Sequence, residues 1–238
     1  MREVRDDTGR FAMRPHYKQS ELDRECELIL SQFFGPRGVP IPIPTDELTK
    51  LMERDTSDFD PGADLSSYGT DVEGVTEFRR GRKPRVRIEA GLAYDEVREN
   101  RYRTTLTHEY GHVRFHGYLF ELEPPTGNLL SHSAPKANVQ VCKRQTIVGA
   151  RNTDWMEWQA GYVCGSLLMP ITQLRRVIGG FQETEKHHGP VAVGSDGARR
   201  LVELIRGEFR VSADAARVRL TQLQFIAEQD RGPSLFDR

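Results

Sequence analysis

The sequence has few cysteines and no long apolar segment, and each absence limits the class of protein. Its three cysteines, Cys26, Cys142 and Cys164, form an odd and widely spaced set without a Cys-x-x-Cys pair. We therefore expect reduced thiols, mostly in the core, rather than a disulfide framework. No apolar run approaches the roughly 20 residues that span a bilayer, and the charged N-terminus lacks a signal-peptide core. The composition thus predicts a cytoplasmic protein with no membrane association, whose 238 residues hold one domain and a small appendage.

The most informative segment present is a His-Glu-x-x-His motif formed by His108, Glu109 and His112. Side chains four residues apart lie on one face of a helix, so both imidazoles can reach one metal ion. Zinc accepts neutral imidazoles and keeps one position open for water in catalytic sites, where a neighbouring carboxylate can take the proton of that water. The same short pattern also arises by chance in surface helices. Apolar residues at helical spacing around the motif, and Gly117 as a stop, favour an amphipathic metal-binding helix.

A third ligand must come from another part of the chain. His116 continues the series, but at 1.5 Å rise per residue it lies about 12 Å from His108, too far for both to bind one ion. We expect His116 to support another ligand or to interact with the negative end of the helix dipole.

A second helix is predicted from residue 154 to the proline at 170, which stops it. Glu157 falls beside the apolar stripe of this helix and would complete a His-His-Glu site if it faces the first helix. The alternative is that Asp154 and Glu157 form a capping box at the helix N-terminus.

The two segments together resemble the ImmA/IrrE family of metallopeptidases. Members pair a His-Glu-x-x-His helix with a later Glu-x-x-Ala helix that ends in Leu-Leu-Met-Pro. This chain has His-Glu-Tyr-Gly-His at 108–112, Glu-Trp-Gln-Ala at 157–160 and Leu-Leu-Met-Pro at 167–170. The similarity extends over most of the chain from about Ser20 onward.

The resemblance implies a fold, a site and an activity. The fold would be α+β, a zincin-like domain with a small antiparallel sheet and a helical C-terminal segment. The site would have His108, His112 and Glu157 as zinc ligands and Glu109 as general base; manganese or cobalt can bind the same ligands. The activity would be cleavage of helix-turn-helix repressors, which switches on stress-response or mobile-element genes.

The sequence departs from the family pattern at two places. Members usually carry an acidic or amide residue after the alanine of the second motif, which can brace a ligand histidine, whereas this chain has Gly161. Asp154 is the substitute to test. The connection from 121 to 153 is also long, which is typical of lids, binding loops or disorder. It contains Cys142 and His132, a weak signal for a second metal site. The donor for a tetrahedral oxyanion stays open among four candidates: Tyr102, Tyr110, Tyr162 and His132.

The coarse organisation is a flexible N-terminal tail at 1–18, a metallopeptidase domain at 19–180 and a helix-turn-helix-like segment at 195–230. Hydrophobic periodicity predicts helices at 20–34, 46–53, 197–209 and 212–229, and a hairpin with strands at 74–78 and 85–89. We expect one hairpin strand to lie over the metal helix, with a free edge that can pair with an extended substrate.

A competing function is a non-catalytic regulator that binds a repressor or DNA. The hairpin concentrates basic residues that could meet phosphates. They are Arg79, Arg80, Arg82, Lys83, Arg85 and Arg87. The C-terminal helix pair has the outline of a DNA reader. With a net charge of −1, we favour a solvated sheet edge for the hairpin and ordinary packing for the helices.

Overall fold

The protein combines helices with a small mixed sheet in a computed structural model that describes residues 1–79, 81–122, 139–143 and 154–228. The α-helices are α1 (Gln19–Phe34), α2 (Thr45–Asp55), α3 (Ala90–Ala93), α4 (Glu99–His116), α5 (Leu119–Leu122), α6 (Trp155–Leu168), α7 (Ile171–Glu185), α8 (Asp196–Phe209) and α9 (Ala213–Gln222). The strands are β1 (Arg2–Arg5), β2 (Met13–His16), β3 (Asp58–Ala63), β4 (Val72–Arg79), β5 (Arg82–Glu89), β6 (Val139–Lys143), β7 (Val191–Ala192) and β8 (Ile226–Ala227). The α+β class is confirmed. None of the described helices has the length and apolar composition needed to cross a bilayer.

The main sheet has the strand order β3-β5-β4-β6. The predicted hairpin is present as β4 and β5, with Gly74 opposite Ile88 and Thr76 opposite Val86. The expectation of an antiparallel sheet is wrong at one edge, because β3 pairs parallel with β5. The edge of β4 that was expected to be free is paired antiparallel with β6.

The motif helix α4 is buried from Tyr102 to His116 apart from the exposed Arg114, although an amphipathic helix was expected. The hydroxyls of Thr104 and Thr107 within it are satisfied, because they donate to the carbonyls of Asn100 and Arg103 one turn earlier. Helices α2 and α6 and strand β4 all pack against α4. The motif therefore lies in the interior of the protein.

Helix α6 packs closely against α4. Its N-terminus is capped by Asp154, whose carboxylate accepts from the backbone N–H groups of Met156 and Glu157. At the crossing, a Cβ atom on Gly111 would lie 2.9 Å from the Cα of Ala160. The two small residues thus allow the backbones to approach, which brings His108 and His112 of α4 close to Glu157 of α6.

The first 18 residues, expected as a flexible tail, contain an antiparallel pair of strands, β1 and β2. The turn between them is held by Asp6, a buried carboxylate that accepts from the backbone N–H groups of Thr8 and Phe11. Phe11 lies in an apolar cluster with Trp155 and Met156 of α6. This strand pair could not be predicted from the polar local sequence, because its buried groups contact residues far away in the chain.

The C-terminal helices α8 and α9 share the core of the rest of the protein. Leu201, Phe209 and Leu220 belong to the same buried apolar cluster as residues of α1, α4 and α6. The last helix ends at Gln222, earlier than the expected 229, and the chain then forms β8, which pairs with β7.

Candidate metal centre

Three side chains from two helices meet at one buried point. The Nε2 atoms of His108 and His112 are 3.2 Å apart, and the carboxylate of Glu157 lies 3.1 Å from the first and 3.2 Å from the second. Both histidines have no exposed surface, and Glu157 is 6% exposed. Glu157 thus reaches the site from the first turn of α6. The side chain of Asp154 caps that helix, and the Glu157 carboxylate faces the two histidines.

These separations fit a tetrahedral metal ion. Two ligand atoms on a tetrahedral zinc ion with bonds of 2.0–2.1 Å lie about 3.3 Å apart, which is close to all three observed distances. Two neutral imidazoles and one carboxylate are also donors that zinc prefers. His108, His112 and Glu157 could therefore hold a metal ion, and three protein ligands would leave a fourth position open.

The charges of the cluster favour an ionised carboxylate. Burial raises the pKa of Glu157, but the neighbouring His112 and His108 outweigh burial and hold that pKa below its usual range. Burial likewise opposes protonation of His112, and the carboxylate of Glu157 overcomes it and raises the pKa of this histidine. The two shifts describe an ionised Glu157 carboxylate that stabilises positive charge on the adjacent His112.

Glu109 is fully buried beside the cluster. One carboxylate oxygen accepts a hydrogen bond of 2.5 Å from the Thr76 hydroxyl on β4, and the other has no hydrogen-bond partner among the described residues. Burial raises the pKa of Glu109, against the opposing effect of both histidines. A raised pKa suits a group that must accept and later release a proton.

Strand β4 reaches Glu109 because of a glycine. A Cβ atom at Gly74 would lie 2.5 Å from the Oε1 atom of Glu109, so any larger residue would displace the carboxylate or the strand. The strand was predicted from the sequence, but neither the contact of Thr76 nor the role of Gly74 was. The sequence did carry a signal for these contacts. A glycine and a threonine stand two positions apart, and so on one face, of the strand that was expected to lie over the motif helix.

His116 is not part of the three-residue metal group. Its Nδ1 atom lies 3.0 Å from Nδ1 of His112, and its Nε2 atom lies 3.1 Å from Oε1 of Gln159. Burial lowers the pKa of His116 well below the usual value. Of the two roles considered for this residue, support of a ligand fits these contacts. Gln159 was missed, because spacing along one helix does not show which residue of another helix will face it.

The substitute brace considered in the sequence, Asp154, caps α6 through its Oδ1 atom. Nδ1 of His108 is buried and has no hydrogen-bond partner among the described residues. The other candidate ligand histidine, His112, contacts His116 through its Nδ1 atom.

Three candidates for the oxyanion donor are directed elsewhere. The hydroxyl of Tyr110 donates to Asp55 at 2.5 Å, and that of Tyr162 donates to Asp23 at 2.9 Å. Tyr102 has its hydroxyl against Thr49 of α2. The fourth candidate, His132, and the side chain of Cys142 lie outside the part of the chain that the structure describes.

The basic hairpin and the C-terminal helices make many internal ion pairs. Arg85 pairs with Asp58 at 2.5 Å, and Arg87 pairs with Glu77. On the C-terminal helices four arginines have carboxylate partners close to them. They are Arg199 with Asp196, Arg200 with Glu185, Arg206 with Glu203 and Arg217 with Asp214. These pairs reduce the positive charge that either surface presents to a phosphate backbone.

No protein-family model matches this chain, and no curated protein sequence matches it at a significant level.

Proposed function

We propose that the protein is a cytoplasmic zinc endopeptidase of the zincin-like type. The observation that carries this proposal is the combination of a three-donor cluster with a buried carboxylate, Glu109, in one interior site. The buried free thiols of Cys26 and Cys164 are compatible with a reducing compartment.

Each residue then has a defined task. His108, His112 and Glu157 would hold the ion, which supplies Lewis acidity and makes water a nucleophile near neutral pH. Glu109 accepts the proton of the attacking water and delivers a proton to the leaving amine. Thr76 donates to the Oε2 atom of Glu109 and thereby leaves Oε1 as the oxygen that can accept this proton. Manganese or cobalt are alternative ions for the same donors.

The proposed substrate is a helix-turn-helix repressor, whose cleavage would derepress stress-response or mobile-element genes. This part rests on the resemblance to the ImmA/IrrE family. Because β6 pairs with the edge of β4, an extended substrate would have to bind beyond β6 or in its place, rather than directly on β4 as the sequence led us to expect.

The alternative is a non-catalytic regulator that binds a repressor or DNA through the C-terminal helices and the basic hairpin. It is less well supported for two reasons. A scaffold has no need of a buried carboxylate such as Glu109, which costs free energy to keep in the interior. The exposed Arg206 and Arg217 of the C-terminal helices each have a carboxylate partner, which reduces the positive charge offered to a phosphate backbone.

The test begins with metal content. We expect about one zinc per chain in the purified wild type by elemental analysis, and loss of that zinc in Glu157→Ala. Zinc-loaded wild type and Glu109→Gln are then incubated with the helix-turn-helix repressor encoded nearest to the gene and with a peptide library, and fragments are identified by mass spectrometry. Glu109→Gln keeps the metal and should abolish cleavage.

Two results would contradict the proposal. If the wild type binds no metal after zinc is supplied, the enzyme proposal fails and the regulator becomes the better explanation. If both wild type and Glu109→Gln bind zinc but give identical fragment patterns, any cleavage comes from a contaminant and the peptidase assignment is wrong.

A further inference from the structure

The ligand His112 is connected to the N-terminal hairpin through two buried side chains. Its Nδ1 atom lies 3.0 Å from Nδ1 of His116, and Nε2 of His116 lies 3.1 Å from Oε1 of Gln159. The amide nitrogen of Gln159 in turn donates to the carbonyl of Pro15 on β2 at 2.9 Å. All three side chains are at most 2% exposed, so water does not compete for these hydrogen bonds.

The direction of hydrogen-bond donation along this series is determined by its two ends. The Pro15 carbonyl can only accept, so the Gln159 amide nitrogen faces it and the amide oxygen faces His116. His116 therefore donates from Nε2 and, as a neutral ring, accepts at Nδ1. His112 must then donate from Nδ1, which leaves its Nε2 lone pair directed at His108 and Glu157, as a metal ligand requires.

A second set of contacts fixes His116 from the side. Its ring packs edge-on against Trp155 with the ring centroids 5.4 Å apart. The Trp155 indole N–H donates to Asp6 at 3.1 Å. Asp6 and Pro15 both belong to the segment that forms β1, β2 and the turn between them. Two independent anchors from this N-terminal hairpin thus converge on His116.

We propose that His116 and Gln159 are positioning residues that form a hydrogen-bonded relay from His112 to the Pro15 carbonyl and fix the tautomer and ring orientation of this ligand. The inference rests on the metal site of the proposed function. It assigns to the N-terminal hairpin a role in metal binding, although the hairpin contributes no ligand.

The test compares zinc affinity, measured by competition with a chromophoric chelator, in the wild type and two variants of Gln159. Gln159→Met removes the acceptor for His116, and we expect affinity to fall by about 10–100-fold. Gln159→Glu keeps an acceptor for His116 but cannot donate to Pro15, so we expect affinity at or above that of the wild type. Ser166→Ala is the matched control. Ser166 lies on α6 like Gln159, and the substitution deletes its buried hydrogen bond to Asp23 of α1, away from the site. Its zinc affinity should be unchanged.

The pair of variants separates positioning from a merely structural role. Both lose the hydrogen bond to Pro15, so a role in stability alone predicts the same affinity for both. Equal affinities, or a wild-type affinity in Gln159→Met, would overturn the relay and leave the metallopeptidase proposal intact. A wild type that binds no zinc would overturn both.

A second measurement needs no variant and covers the case in which Gln159→Met does not fold. In the zinc-loaded wild type, nitrogen–proton correlation NMR reports which ring nitrogen of each histidine carries the proton. The relay requires the proton of His116 on Nε2 and that of His112 on Nδ1. A proton on Nδ1 of His116 would overturn it.

Discussion

The close contact between α4 and α6 makes Gly111→Ala a sensitive probe of the candidate metal site. A Cβ atom at this position would lie 2.9 Å from the Cα and 3.3 Å from the Cβ of Ala160. Carbon atoms in ordinary contact are about 3.5–4.0 Å apart, so the helices must separate by about 0.6 Å or more. The substitution therefore moves the helix that carries Glu157 away from the helix that carries His108 and His112.

The expected effects on stability and on metal binding differ in size. Overpacking of this kind costs about 1–3 kcal/mol, whereas replacing glycine by alanine inside a helix gains about 1 kcal/mol. The net loss in the free energy of unfolding should therefore be no more than about 2 kcal/mol. Ligand distances in a metal site tolerate only about 0.2 Å. We therefore expect zinc affinity to fall much more than stability.

The assay measures denaturant unfolding of the metal-free protein and zinc affinity by chelator competition for Gly111→Ala beside Gly180→Ala. Gly180 lies within α7, and a Cβ atom added there would meet no other side chain or neighbouring element within 4 Å. Its substitution should raise stability by up to about 1 kcal/mol and leave zinc affinity unchanged. A Gly111→Ala protein with wild-type zinc affinity would refute the argument that this contact sets the ligand geometry.

Three further tests concern buried groups. Thr76→Val removes the hydrogen bond that lowers the pKa of Glu109, so the pKa rises and the acidic limb of the pH–activity profile should move to higher pH; an unmoved limb would exclude Glu109 as the titrating base. Arg219→Met leaves Asp23, its partner at 2.5 Å, as a buried charge without its main countercharge. The free energy of unfolding, measured with denaturant, should fall by about 3–5 kcal/mol. A fall of less than about 1 kcal/mol would contradict this. Zinc at 100 times its Kd should stabilise the wild type by about 2.7 kcal/mol, and it should leave the thermal stability of Glu157→Ala unchanged. Equal stabilisation of both proteins in thermal unfolding would place the metal elsewhere.

Much of the candidate site could be predicted from local spacing. Residues four apart on a helix must share a face, so His108 and His112 were expected to meet whatever the rest of the fold was. The same rule of distance along a helix excluded His116 as a third ligand to their ion. Glu157 depended on a second motif, and its position opposite the histidines required that two separate helices pack in register.

The features that were wrong or missed all depend on contacts between distant segments. Periodicity shows that a tyrosine lies on a helix but not where its hydroxyl points, so Tyr110 and Tyr162 could not be separated from true oxyanion donors. The polar N-terminal segment has no apolar repeat, and it is ordered here by Asp6 and Phe11 packing against α6.

The motif helix, its pair of histidines and the neighbouring carboxylate could be determined without coordinates, because they follow from backbone periodicity and residue chemistry. The α+β class was implied by the resemblance to a known family. Tertiary packing decided that the helix is buried, that Gly74 and Thr76 contact Glu109, and that Gln159 meets His116. The physical reason is that burial and hydrogen-bond partners across elements depend on how helices and strands pack, and packing brings together residues whose separation in the chain carries no periodic signal.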